Sequence, residues 1–352
     1  MAEQTEVSAD QGVEIPYPLT WIDQLIAWID HLPGPVWLFY VLGAMAMAFM
    51  GNAMFWLDGS MPVGSFDTLA TLFGVLVFYW LALYQYLTRV GSNSLQTFLP
   101  LLDADHSEVA QIDHELGTLP RWLGWLAIPL GLGLGAGTIL GDPAPFGDIV
   151  PRTPIPYAVD IAITTFLWAT FYCVVIRSIR QLRTVSKLHA RATNVNLLKL
   201  EPAHAFSTLT ARTGIGVILL LVFAYLLDPT TAVGSTLDIF TYVVTAMISI
   251  AVFVVPVLGM RDHLEDEKER LLNETSDLLQ SATDDLHSKV NRRAYDDFAG
   301  IEDSIGALIR ERELIEKIST WPWDLRTIRG FTSALLLPIF LWLVTRLLER
   351  FF

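Results

Sequence analysis

The chain has few of the residues that build disulfides, metal sites and nucleic-acid surfaces. Its 352 residues include a single cysteine, Cys173, so neither an intrachain disulfide nor a cysteine-based zinc site can form. Lysine is scarce, and the formal net charge is −14. This acidic balance excludes a nucleic-acid surface, which needs a basic face. It is typical of a halophile, in whose salty cytoplasm like-charge repulsion is screened.

Motifs for catalysis and nucleotide binding are also missing from the sequence. It contains no HExxH, GxSxG, Walker or dinucleotide-binding pattern. The acidic segment 103–115 begins like a calcium loop, but Glu108 stands where glycine is needed and His114 where the bidentate glutamate belongs. We interpret it as a solvated acidic helix, with a weak divalent-cation site as the alternative. We therefore expect no enzyme, no cofactor and no metal centre.

Long apolar runs dominate what is present. Hydrophobic residues make up 53% of the chain and charged residues 17%, a balance unusual for a soluble domain. A helix of roughly 20 apolar residues crosses a bilayer. The sequence therefore predicts an all-α, multi-pass membrane protein with seven transmembrane helices. The predicted spans lie at about 36–57, 68–88, 121–140, 157–177, 211–228, 238–260 and 328–348.

Ionisable side chains are absent from the central portions of these predicted spans. Pumps and proton- or cation-coupled carriers usually need such groups within the membrane. The absence makes those classes less favoured. It leaves open an uncharged pore, in which selectivity comes from hydroxyl groups, carbonyls and constrictions.

The pattern along the chain predicts five regions. The N-terminus is expected to be disordered, and the next segment to be an interfacial amphipathic helix with its tryptophans at headgroup depth and Asp23 off its apolar face. A six-helix bundle, a cytoplasmic helical hairpin and the last transmembrane helix follow. The expected boundaries are 1–17, 18–34, 35–260, 261–323 and 324–352.

The charged region before the last span carries two helical seams. Leucines recur every seven residues in the first seam, and isoleucines and a leucine form the second. Two such helices joined by a polar turn predict an antiparallel hairpin, paired within one chain or between chains. The seams contain Leu264, Leu271, Leu278, Leu272, Leu279 and Leu286, and then Ile301, Ile305, Leu308 and Ile315.

Basic residues predict the orientation in the cell membrane. They crowd the loop after the fourth span, from Arg177 to Arg212, whereas the opposite loops hold almost none beyond Arg152. Because cytoplasmic loops carry the excess of Lys and Arg, this loop and the hairpin are expected inside. Seven spans then place the N-terminus in the cytoplasm and the C-terminus outside, whereas a re-entrant last helix would place the C-terminus inside.

Two sets of side chains are candidates for a functional site. Hydroxyl and aromatic groups on the second, fourth and sixth spans are candidates for a small-ligand pocket, with interhelical hydrogen bonding as the alternative. These are Tyr79, Tyr84, Thr164, Thr165, Tyr242 and Thr245. One face of the last span is a candidate pore lining or oligomer contact, with ordinary bundle packing as the alternative. It holds Thr332, Ser333, Leu336, Phe340 and Leu343.

The layout resembles the seven-helix channel superfamily of the insect odorant and gustatory receptors. Ile301–Ser319, then Trp321-Pro322-Trp323 and Phe331–Leu348, is similar to the split last helix of that family, which has a cytoplasmic piece and a pore-lining piece. The resemblance covers the whole chain as topology and implies an oligomeric ion channel. The segments 188–216 and 320–338 also resemble uncharacterised prokaryotic membrane proteins.

These observations lead to one expected function and two alternatives. The leading hypothesis is a homo-oligomeric, channel-like protein whose last helix lines the pore and whose hairpin serves assembly or gating. The alternatives are a non-conducting scaffold or signalling protein whose hairpin docks a partner, and a carrier of a neutral solute. The expected partners are the lipid bilayer, further copies of the chain, and a small-molecule ligand or a cytoplasmic protein.

Overall fold

The computed structural model describes residues 17–141, 146–147, 149–193, 197, 199–227, 236–292 and 298–351, and these are helical apart from turns and short connections. Nearly all of the predicted disordered segment, 1–17, lies outside the described residues. The α-helices are α1 (Trp21–Asp30), α2 (Val36–Asp58), α3 (Thr68–Phe98), α4 (His106–Gly117), α5 (Arg121–Gly141), α6 (Ile155–Ala190), α7 (Ala205–Leu227), α8 (Thr236–Val254), α9 (Leu258–Arg292), α10 (Phe298–Lys317) and α11 (Leu325–Phe351).

Local sequence signals set several helix ends. Thr20 and Asp23 form a capping box at the start of α1. The side chain of Asp67 accepts the N–H of Ala70 at 2.7 Å and caps α3. Gly59 ends α2 in a left-handed conformation with φ of +72°, which glycine adopts without steric strain.

Within the described part of the chain, six helical runs are long and apolar enough to cross a membrane, so the chain is a multi-pass membrane protein. They are α2, α3, the α4–α5 run, α6, the α8–α9 run and α11. The predicted fifth span, α7, is not among them. Its apolar part among the described side chains, Ala205–Leu219, is shorter than the others.

The helices alternate in direction and give the bundle two ends. We call one end basal. Helices α3, α6 and α8 end there, and helices α2, α5, α7 and α11 begin there. His189 near the end of α6 is bonded here to the carbonyl of Pro256, just after α8, at 3.0 Å. At the opposite, distal end, Asp58 of α2 accepts the N–H of Arg152 at 2.6 Å.

The glycines of α5 divide the helix into a packed face and an open one. A Cβ on Gly131 or Gly135 would lie 2.5–2.8 Å from the backbone of Thr165 on α6. At Gly133 and Gly137 it would meet nothing within 4 Å. The close approach of α5 to α6 therefore requires the first pair, as small residues permit between membrane helices.

The described part of α9 packs antiparallel against α10. The ammonium group of Lys268 on α9 donates to the carbonyls of Glu316 and Ile318 at 2.7 and 2.8 Å. It therefore satisfies carbonyls at the end of α10 and opposes the negative end of that helix dipole. Leu264 and Ile315 are buried, whereas Leu278 of the predicted heptad seam is exposed.

Candidate functional site

A buried polar network lies at the basal end and is centred on Asp23. One carboxylate oxygen of Asp23 accepts the phenolic O–H of Tyr84 on α3 at 2.6 Å. The other accepts the hydroxyl of Thr20 at 2.8 Å and, at 3.4 Å, the N–H of Leu119. Asp23 is only 7% exposed, so these bonds replace the water that the carboxylate loses on burial.

Arg177 of α6 supplies the opposite charge in this network. Its guanidinium lies 4.3 Å from the centre of the Tyr84 ring and donates to the Tyr84 carbonyl at 2.7 Å. A second nitrogen donates to the carbonyl of Leu116 at 3.3 Å, and Gln181 donates to the same carbonyl at 3.2 Å. The network therefore connects α1, α3, α4 and α6 through buried hydrogen bonds. Such bonds are important for stability because a buried polar group that loses its partner has no water to replace it.

A second polar cluster continues along the same side of α3. The O–H of Tyr40 on α2 donates to Gln85 at 3.0 Å, and Gln85 donates to Asp30 at 2.7 Å. Arg89 donates to the same carboxylate oxygen at 2.7 Å. The basal part of α3 is therefore hydrogen-bonded to both α1 and α2.

The prediction for Asp23 is wrong. The sequence placed it on the polar side of an interfacial helix, but the capping geometry turns it toward Tyr84, and Ile22, Ile26 and Ile29 of α1 are buried with it. A Thr-x-x-Asp capping box was the available signal. Arg177 was attributed to the basic loop signature, and it is 2% exposed.

The four candidate pocket residues whose side chains the structure describes have separate partners and surroundings. Tyr79 donates to the carbonyl of Gly216 on α7 at 2.6 Å, and Tyr84 donates to Asp23. The hydroxyl of Thr164 donates to the carbonyl of Asp160 at 2.7 Å. Thr165 lines a separate apolar groove of about 420 Å³ between α5 and α6. The side chains of the remaining two candidates, Tyr242 and Thr245, lie outside the described residues.

The candidate pore residues share an exposed surface of α11. Thr332 and Ser333 are exposed, and so are Leu336, Phe340 and Leu343. The buried contact of α11 is made elsewhere, by Phe331.

A cavity at the basal end was not predicted from the sequence. It has a volume of about 570 Å³ and lies between the last turns of α3, the first turns of α7 and Asp324 before α11. Burial lowers the pKa of His204 in its wall below the ordinary value, against the raising effects of the Asp324 charge and a Trp321 backbone bond. Burial raises the pKa of Asp324, but hydrogen bonds from Thr327 and the nearby cations outweigh it and leave the pKa below its ordinary value.

The acidic segment 103–115 forms α4. Asp105 caps this helix, accepting the N–H of Glu108 and the hydroxyl of Ser107, both at 2.8 Å. The backbone bond from Glu108 lowers the pKa of Asp105 most strongly. Over the described part of the chain, no group of three or more His, Cys, Asp or Glu side chains is placed to hold a metal ion.

Comparisons with known proteins give no relative for this chain: no family model, no curated protein and no solved structure matches it.

Proposed function

We propose that the protein is a homo-oligomeric, channel-like membrane protein in which α11 of each copy faces a shared pore. The observation that carries this proposal is the bareness of α11. Only 6% of its most apolar window is buried, against 28–50% for the other five candidate spans. A spanning helix that its own chain leaves uncovered has to be covered by lipid, by water or by further copies.

The contacts of α11 leave one broad surface available. Phe331 stacks on Phe253 of α8 with ring centres 4.2 Å apart and lies against Gly214 of α7. The exposed surface contains two hydroxyl side chains, Thr332 and Ser333. Hydroxyls of this kind are more favourable between helices or against water than against acyl chains. The resemblance of the sequence layout to the insect receptor channels is a further reason for placing the proposed pore at this helix.

The subunit count tests the proposal first. Native mass spectrometry in mild detergent should give a ring of three to five copies, and a monomer would overturn the shared pore. In planar bilayers, Leu336→Asp and Phe340→Ala should then change the conductance of folded protein. Phe49→Ala is the matched control, because Phe49 on α2 is 56% exposed and Phe340 is 61% exposed. Equal conductance in all variants would remove α11 as the pore lining.

We also propose that the basal end is cytoplasmic, since it gathers the basic residues between Arg177 and Arg212. Cys173 is buried, so the native chain gives little background in thiol labelling. Lys187 at the basal end and Val63 at the distal end are both exposed. In intact cells a membrane-impermeant maleimide should label Val63→Cys and spare Lys187→Cys, and the reverse result would invert the orientation.

A scaffold is the second candidate, and the hairpin surface favours it. Leu278 of α9 is 53% exposed and Leu314 of α10 is 63% exposed, and apolar side chains of this kind are typical of docking surfaces. Leu278→Glu combined with Leu314→Glu should leave the copy number unchanged if α11 drives assembly. A fall to monomers would show that the hairpin does so instead.

A further inference from the structure

The basal cavity is lined by charged side chains of both signs. The guanidinium of Arg212 lies 5.3 Å from the centre of the Tyr86 ring, and no ion pair to a described carboxylate accompanies it. Glu201, in the segment just before α7, is exposed and lines the same cavity. A third charged group, Asp324, uses one oxygen to accept the N–H of Thr327 at 2.8 Å. The wall therefore offers one cation and two carboxylates to a ligand.

Two hydroxyl groups of the cavity, those of Thr97 and Ser207, already donate their protons to carbonyls of neighbouring turns. Thr97 donates to the carbonyl of Asn93 at 3.1 Å, and Ser207 donates to the carbonyl of His204 at 2.6 Å. Each hydroxyl has a single proton, so its oxygen lone pairs are what it can still present. A ligand that donates several hydrogen bonds, as a primary ammonium does, fits these groups together with the carboxylates.

The position of the cavity matches the headgroup layer of a membrane. It lies where α3 ends and where α7 and α11 begin. Trp321 and Trp323, stacked with ring centres 5.3 Å apart, immediately precede Asp324. Tryptophans of this kind concentrate at membrane–water boundaries. A lipid phosphate and its attached amine would lie at the same depth as this wall.

We propose that the basal cavity binds a phosphate–ammonium zwitterion of the phosphoethanolamine type. Arg212 holds the phosphate, and Glu201, Asp324 and the hydroxyl oxygens accept from the ammonium group. The ligand is the headgroup of phosphatidylethanolamine or the free compound. A choline headgroup has no N–H to donate and a glycerol headgroup has no cation, so both should bind less well. This site is complete within one chain and does not rest on oligomerisation.

The test uses full-length, delipidated protein in mild detergent. Native mass spectrometry follows titration with phosphatidylethanolamine, phosphatidylcholine and phosphatidylglycerol of identical acyl chains. We expect half-saturation with phosphatidylethanolamine at a concentration about tenfold lower than with the other two, the size of one charge-assisted hydrogen bond. Equal binding of the three lipids would overturn the proposal.

Substitutions test the ammonium-binding and the phosphate-binding groups of the site separately. Glu201→Gln should abolish the preference for ethanolamine over choline, and Arg212→Gln should weaken both lipids, with Arg212→Lys restoring part of the binding. Arg121→Gln, at an exposed basal residue outside the cavity wall, is the matched control. An unchanged preference in Glu201→Gln, with folding verified by its melting temperature, would contradict the carboxylate role.

A competition experiment separates the two sources of the ligand. Free phosphoethanolamine that displaces the lipid would show that the headgroup chemistry is sufficient. Free compound that binds where the lipid does not would assign the site to a soluble ligand of the same chemistry. Binding of neither would overturn the proposal.

Discussion

Helices α3 and α11 are both long and apolar, yet they differ sharply in what surrounds them. Half of the most apolar window of α3 is buried inside the bundle, whereas 6% of that of α11 is. Hydropathy measures how favourably a segment leaves water. It does not distinguish a helix packed inside the protein from one that faces lipid, because both environments are apolar. The difference comes from polar and small residues. α3 offers Tyr84, Gln85 and Gly74 to its neighbours, and α11 presents an open surface.

Substitution of Arg177, the charged residue of α6 that is bonded to α3, should give the largest loss of stability. Arg177→Met removes the cation beside Tyr84 and leaves the buried carboxylate of Asp23 without its opposite charge. We expect a loss of ~3–5 kcal/mol in the free energy of unfolding, measured as a lower melting temperature in detergent. Arg329→Met on the exposed side of α11 should change it little. Equal losses would contradict the contrast between the two helices.

Glycine substitutions provide a direct comparison of the same change on both helices. A Cβ on Gly74 of α3 would lie 2.5 Å from the backbone nitrogen of Ala48, whereas one on Gly330 of α11 would meet nothing within 4 Å. Gly74→Ala should therefore destabilise the bundle by about 1–3 kcal/mol through overpacking. Gly330→Ala should stabilise by roughly 0.5–1 kcal/mol, because alanine favours the helix. Thermal unfolding of the two variants measures this opposition in sign.

A substitution in the α9–α10 hairpin, which precedes α11, should have a smaller effect on stability. Lys268→Met removes two hydrogen bonds to the last carbonyls of α10, which should weaken that helix end by about 1 kcal/mol. Faster amide hydrogen exchange in the last turn of α10 would report it. Lys317→Met is the control, since the pair of Lys317 with Glu313 at 3.8 Å is on the surface and contributes little. Unchanged exchange in Lys268→Met would show that the seams alone hold the hairpin.

The stability contribution of His204, which lies just before α7 and lines the same cavity as Asp324, should depend on pH. Burial lowers the pKa of His204 in the folded chain, so the unfolded chain takes up more protons once the pH falls below about 6.5. The contribution of His204 is therefore fully present above that pH and is lost on acidification. His204→Gln should flatten the dependence of the melting temperature on pH between 7 and 5. Parallel curves for the two proteins would contradict this role.

Much of the helical layout could be predicted from the sequence, because a spanning helix needs only length and apolarity. The predicted first span, 36–57, agrees with α2 to within a residue, and the predicted fourth span, 157–177, lies within α6, which continues to Ala190. The glycines of α5 recur at a four-residue spacing, which is typical of close helix packing in membranes. The sequence did not separate the packed pair, Gly131 and Gly135, from the open pair, because both recur with the same spacing.

The site was harder to predict, because its groups come from distant parts of the chain. Asp23 and Tyr84 are 61 residues apart, and Arg177 reaches a carbonyl 93 residues away. Composition cannot report such pairs. Likewise, the basal cavity joins three segments, and no short motif connects His204 with Asp324.

By itself the sequence determined that the chain is helical and multi-pass, since apolar runs of spanning length have no other stable form in a bilayer. It also determined the charged hairpin region and the scarcity of catalytic and metal-binding motifs. Only the tertiary structure decided which apolar faces are buried, that Asp23 lies inside, and that α11 is left bare. The physical reason is that burial depends on contacts between helices, and periodicity within one helix does not specify its partner.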